Sequence, residues 1–192
     1  SRSMKFLPSL RLATALALLI PAHTAFAETS PATETKPAST PWLYENSDVP
    51  VDQSWTFGVL DNGLRYAVKR NIVPAGQVSI RVRVDAGALH EEDNELGFAH
   101  LMEHLAFRGS EHVPEGEAKR IWQRFGVSFG SDSNAQTTPT QTVYKLDLPN
   151  SSPATLDESL KILAGMVRAP NISESALQAE RAIVQAELRE SA

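Results

Sequence analysis

Hydrophobic and polar positions alternate strictly along Val78-Ser79-Ile80-Arg81-Val82-Arg83-Val84. That two-residue period predicts a half-buried strand with Arg81 and Arg83 on its wet face. Upstream, the segments 55–60 and 64–70 flank Asp61-Asn62-Gly63, whose turn chemistry predicts a hairpin. Beyond the strand the period becomes that of a helix. Over 96–107, Phe98, Leu101, Met102 and Leu105 fall on one arc, which predicts an amphipathic helix with its apolar stripe packed inward. A second helix is expected over 114–125, then strands over 127–133 and 142–148. Thr155-Leu156-Asp157-Glu158 reads as a capping box opening a helix to about 167. A last helix spans 173–190, with Ser173 as its cap after Pro170. The elements add up to an α+β fold with a largely antiparallel β-sheet and helices packed on one face. No internal repeat is visible.

The first 27 residues do not belong to that domain. After Ser1-Arg2-Ser3, which reads as a cloning scar, Met4 is followed by Lys5 and Arg11, an apolar run over 12–20, Pro21 and the small-residue site Ala25-Phe26-Ala27. This is the pattern of a secretory signal peptide cleaved near Ala27, which implies a periplasmic or secreted protein; the apolar run is short for a bilayer span. Residues 28–52 are rich in Thr, Ser, Pro and Ala, lack hydrophobic period and read as a linker or N-terminal arm, interrupted by Trp42, Leu43 and Tyr44. The domain proper is expected over 53–192.

Charge and cysteine usage narrow the chemistry. The formal net charge is −5, and removal of 1–27 takes away three basic side chains and no acidic ones, leaving −8; this disfavours nucleic acid as a partner. With no cysteine, disulfides and thiolate metal ligands are excluded, and His and carboxylates remain as ligand types.

The helix over 96–107 carries His100-Leu101-Met102-Glu103-His104. At about 100° per residue the two imidazoles project within about 40° of one another, with Glu103 about 60° to the other side of His100. A lone His on an apolar face is usually a core residue, but this pair avoids the apolar arc and has the i,i+4 spacing that ligation needs. Two imidazoles leave a zinc ion short of one protein ligand, and the carboxylate preceding the second His makes this the inverted form of the His-Glu-x-x-His motif. On the last helix, Glu180 and Glu187 stand a heptad apart and so share a side; by themselves they read as two solvated glutamates. His90 and His112 read as surface residues.

Gly97-Phe98-Ala99-His100-Leu101-Met102-Glu103-His104-Leu105-Ala106-Phe107-Arg108-Gly109-Ser110 closely resembles the signature of the inverted-motif zinc peptidases, the family of pitrilysin, insulin-degrading enzyme and the mitochondrial processing peptidase. Leu60-Asp61-Asn62-Gly63-Leu64-Arg65-Tyr66 and Asp85-Ala86-Gly87-Ala88 upstream are similar to the family's first hairpin and the end of its next strand. Ser133-Asn134-Ala135 and Thr142-Val143-Tyr144 downstream match its substrate-edge region. The segment 180–187 resembles the family's Glu-Arg-x-x-x-x-x-Glu, whose second Glu ligates zinc while the first assists electrostatically. The resemblance therefore implies one Zn²⁺ per domain, held by His100, His104 and Glu187, with Glu103 as general base and Glu180 tuning the charge. Spacing alone selects Glu180, which lies 76 residues beyond His104. Glu187 is preferred because Pro149-Asn150-Ser151-Ser152-Pro153 reads as a loop able to absorb extra residues.

The implied function is a zinc endopeptidase hydrolysing peptides or small unfolded proteins. Its peptide substrate would bind as an added β-strand at Asn134 and Ala135. In the family a homologous C-terminal domain or separate subunit supplies an Arg/Tyr pair, so this chain is expected to be an incomplete enzyme without it; dimerisation is left open. The alternative is a non-catalytic structural or peptide-presenting subunit of a peptidase-like complex, and an intact metal motif weighs against it.

Overall fold

The computed structural model describes residues 41–190; the signal-peptide segment and residues 28–40 of the arm lie outside the described residues. The elements are β1 (Trp55–Val59), β2 (Arg65–Lys69), β3 (Val78–Val84), a 3₁₀ turn (Ala88–His90), α1 (Phe98–Ala106), α2 (Glu117–Arg124), β4 (Ser133–Thr137), β5 (Thr142–Leu148), α3 (Pro153–Arg168) and α4 (Glu174–Glu190). β1 and β2 form a two-stranded sheet, and a three-stranded sheet runs in the order β3-β5-β4. By contact the chain divides into two compact units. One contains the described residues 41–52 with 57–67, the other 53–56 with residues from 68 onward.

In the first unit the turn after β1 is closed by Gly63 N–H donating to Leu60 O (2.9 Å) and Leu60 N–H donating to Leu64 O (2.8 Å). Gly63 sits at φ 86°, the left-handed position of a three-residue hairpin loop. The described end of the arm is docked rather than free: the rings of Trp42 and Tyr44 lie 4.9 and 5.0 Å from Phe57, and the Arg65 guanidinium stands 3.9 Å over Trp42.

The second unit is built on β5, whose residues alternate between buried and half-buried. Antiparallel pairing sets Val78, Ile80 and Val82 of β3 opposite Leu148, Leu146 and Tyr144, and Ser133, Ala135 and Thr137 of β4 opposite Leu146, Tyr144 and Thr142. Directly paired residues share a face, so these positions form one apolar face. Helices α2 and α3 cover it through Trp122, Ile162, Leu163 and Met166. The opposite face is polar and carries Ser79, Arg81, Lys145 and Asp147. Antiparallel strands with helices on one face are the expected α+β fold.

Local differences from the sequence reading have identifiable causes. The strand expected over 127–133 forms later, at Ser133–Thr137. Gly126 and Gly130 sit at positive φ, and Ser128 N–H donates to the Asp132 carboxylate, so 126–132 folds as a turn. Helix α3 starts at Pro153, capped by Ser152, whose hydroxyl accepts from Thr155 N–H while the Thr155 hydroxyl accepts from Ser152 N–H; the capping box lies about one turn ahead of the predicted one. Helix α2 opens at Glu117 because Gly116 takes a left-handed conformation (φ 79°) at its N-cap. Ser173 caps α4 as expected, accepting from Ala176 N–H at 3.1 Å.

The polar face of the sheet generates a pH prediction. Burial works to raise the Asp147 carboxyl, but hydrogen bonds from Arg81, Ser79 and Lys145 and the charge of Arg81 outweigh it and bring it down to about 2. A carboxyl depressed in the folded state contributes stability above its unfolded value, about 3.9, and that contribution is lost as pH falls through the folded value. Asp147→Asn should lower the free energy of unfolding at neutral pH by about 1 kcal/mol, discounted for the partial exposure of the group. In urea titrations the gap to the parent should close between about pH 4 and pH 2; a gap of constant size over that range contradicts the assignment.

Candidate metal centre

Helix α1 has nine residues, too few to be stable alone, so its ends and its neighbours hold it. Its N-terminus is capped from six residues upstream: the Glu91 carboxylate accepts from Gly97 N–H and from Ala99 N–H, both at 2.7 Å. This satisfies two otherwise orphaned donors and sets a negative charge at the positive end of the helix. Gly97 itself is left-handed at φ 92°. The body of α1 packs between β4 and α4.

That placement corrects the expected helix orientation. Leu105 and Ala106 enter the core, but Phe98 is 54% exposed and Met102 is also exposed, whereas Glu103 is buried. The helix turns its His/Glu side toward its two neighbours because polar groups on β4 and α4 meet it there.

His100 Nε2 and His104 Nε2 lie 3.2 Å apart, and Glu187 Oε2 of α4 stands 3.3 Å from the first and 3.5 Å from the second. One atom of each residue falls within 4.8 Å of the others. Zinc bonds to nitrogen and oxygen of about 2.0–2.1 Å in a tetrahedron place neighbouring ligand atoms about 3.3 Å apart, so these three separations fit a zinc ion. Glu180 approaches from the other side of the ring: its Oε2 is 3.0 Å from His104 Nδ1 and its Oε1 accepts from Arg108 Nε at 2.6 Å. A carboxylate only accepts, so the Nδ1 facing Glu180 is the donor, and with its hydrogen there a neutral His104 offers the Nε2 lone pair to a metal ion. Both Glu180 oxygens are occupied. The geometry therefore brings Glu187, and not Glu180, to the pair of Nε2 atoms.

Glu103 is held by Thr137 of β4, whose hydroxyl donates to Oε2 at 2.6 Å. Burial, reinforced by the Glu103 charge, pushes the neighbouring Tyr144 phenol up to about 12, so it stays neutral. Arg108 is raised above its ordinary value first by its hydrogen bond to Glu180, with burial opposing, and further by the charges of Glu180 and Glu115.

His100, Glu103, His104, Arg108, Glu180 and Glu187 line a cleft of about 1020 Å³ whose wall includes Asn134, Ala135 and Thr137 of β4. β4 is outermost in the strand order. Asn134 is exposed beside Lys145, and Ala135 is half-buried beside Tyr144, so the two predicted contact residues occupy opposite faces of one edge strand. His90 is exposed and its Nδ1 accepts from Gly87 N–H; exposed His112 pairs with Glu111. Neither joins the cluster. Sequence reasoning passed over Glu91, Arg108 and Thr137. A cap six residues ahead of its helix matches no capping box, Thr137 arrives from a distant strand, and only the basic residue at the end of the motif offered a local signal.

The pattern described as insulinase (peptidase family M16) matches residues 66–192. The probable zinc protease PqqL of Escherichia coli K12 is 35% identical over 141 residues, 73% of this chain and 15% of that protein. Its counterpart in Haemophilus influenzae is 35% identical over 147 residues, 77% of this chain and 16% of that protein. The crystal structure of the first half of the periplasmic protease PqqL from E. coli superposes with a TM-score of 0.70 at 34% identity, covering 74% of this chain and 30% of that one. This chain thus spans about a sixth of the length of those two curated relatives. Matched over most of its described length, it belongs to the insulinase family of peptidases, family M16.

Proposed function

We propose that this chain carries the catalytic centre of a zinc-dependent endopeptidase of peptides or small unfolded proteins. The observation that carries the reading is the set of three separations, 3.2, 3.3 and 3.5 Å, among His100 Nε2, His104 Nε2 and Glu187 Oε2. His100, His104 and Glu187 would hold the ion. A zinc ion bound there supplies Lewis-acid polarisation of a carbonyl and brings the pKa of water towards neutrality.

The chain's own residues do the rest. Glu103, one residue before His104 on the same helix, takes the proton of the attacking water at its carboxylate and returns it to the leaving amine nitrogen. The Thr137 hydroxyl occupies Oε2 and fixes the carboxylate's orientation, leaving Oε1 to carry the proton. Glu180 orients His104 and sets the charge around the site. The peptide pairs with the open edge of β4 at Asn134 and Ala135, where main-chain hydrogen bonds give affinity with little demand on side-chain sequence.

A homologous second half, in the same chain or as a separate subunit, would supply an Arg/Tyr pair for the tetrahedral intermediate; the short span of this chain against its relatives supports that reading. A periplasmic location is supported by the solved PqqL relative, a periplasmic protease, and by the signal-like pattern of residues 4–27.

Three outcomes test the reading. Glu103→Gln keeps the size of the side chain and removes the base, so bound zinc should stay near one per chain while peptide turnover by the complete enzyme falls at least about 100-fold; normal turnover would remove Glu103 from the mechanism. Glu187→Gln loses a bond to the ion and should weaken zinc binding, measured by chelator competition, far more than Glu180→Gln, which loses only an orienting neighbour. The reverse ranking would hand the ligand role to Glu180. Residues 28–192 alone should cleave on the order of 10²–10³-fold more slowly than the same segment supplied with the second half, in an assay where Glu103→Gln controls for contaminating protease. Equal rates contradict the two-part enzyme.

A further inference from the structure

Arg108 lies just past the end of α1, and two carboxylates from separate parts of the fold share its guanidinium. Nε donates to Glu180 Oε1 of α4 at 2.6 Å, and Nη1 donates to Glu115 Oε1, ahead of α2, at 2.9 Å. Its backbone carbonyl also accepts from Gly116 N–H at 2.8 Å, so the residue ties α1, α4 and the approach to α2 together. Glu180 is only 8% exposed. A carboxylate so enclosed needs a donor on each oxygen, and it has two: His104 Nδ1 on Oε2 and Arg108 Nε on Oε1.

We propose that Arg108 is a positioning residue for the metal centre: by holding Glu180 in place it keeps the hydrogen of His104 on Nδ1 and the lone pair of Nε2 turned toward His100 and Glu187. The inference rests on reading that cluster as a zinc centre. Arg108 lines the same cleft, but its guanidinium bonds to Glu180 and Glu115 rather than to the three ligating atoms, and it acts through one intermediary. Without the guanidinium, one Glu180 oxygen is left buried and unpaired, a cost the side chain escapes only by turning away. His104 then loses the acceptor that selects its tautomer, and a ring with its hydrogen on Nε2 offers no lone pair there. The fork of the guanidinium matters as much as its charge. Two carboxylates on different elements are served by nitrogens in fixed relative positions, whereas one ammonium reaches a single site at a time.

The test uses the full chain with ¹⁵N-labelled histidine. In the metal-free wild type, nitrogen NMR should report His104 as the Nδ1–H tautomer, and Arg108→Ala should convert it to a mixture. Zinc affinity by chelator competition should fall about 10–100-fold in Arg108→Ala and by less in Arg108→Lys. In a Glu180→Gln background the same Arg108→Ala change should cost less than about 2-fold, because the intermediary is gone. Zinc affinity and tautomer both unchanged in a folded Arg108→Ala protein would overturn the proposal, as would losses that simply add in the double variant. Arg108→Met, which keeps much of the stem's bulk and removes every donor, is read in the same way if the alanine variant does not fold. An Nε2–H tautomer in the metal-free wild type overturns the proposal without any variant. If the wild type binds no zinc, it is the zinc reading that fails, and the tautomer comparison still decides the role of Arg108.

Discussion

Two carboxylates buried where α1 meets its neighbours constrain everything around them. Glu103 and Glu180 are 9% and 8% exposed, and each would cost several kcal/mol if left without partners. The fold meets this by bringing a strand and a helix to them: Thr137 of β4 serves Glu103, while His104 and Arg108 serve Glu180. Because α1 meets β4 through Glu103 and α4 through His104, the helix cannot rotate to bury its more apolar arc without stranding both charges. The same orientation sets the two Nε2 atoms against Glu187. A group of candidate ligands on two packed helices is held more closely than one on loops would be.

The three-stranded sheet adds a second constraint. β5 is central and buried on one face, so its register with β4 fixes which β4 residues reach the site. Thr137, opposite Thr142, faces α1; Asn134 faces away beside Lys145. An edge strand whose end touches the candidate base and whose outer side is unpaired within the sheet suits a substrate that binds as extended chain.

The parts of the fold that follow local rules were legible in the sequence. The strands expected over 78–84 and 142–148 formed as β3 and β5 with their predicted ends, and His100, Glu103 and His104 were visible from spacing on one helix. What was not legible depends on distant partners. The apolar arc of Phe98 and Met102 pointed to the wrong face, since periodicity takes no account of two acids that need donors from other elements. The turn at 126–132 looked like a strand because Val127 and Phe129 carry β-propensity while the glycines that bend it are single residues. Glu180 and Glu187 are equivalent by helical period, and only the approach of α4 to α1 separates one at Nδ1 from the other at the two Nε2 atoms.

The most direct test of the account is an anomalous-difference map recorded at the zinc absorption edge from crystals of the zinc-loaded protein. It should contain a single strong peak in contact with Nε2 of His100, Nε2 of His104 and the carboxylate of Glu187. A peak held by Glu180 in place of Glu187, or one away from α1 altogether, would contradict the assignment of this cluster as the metal centre.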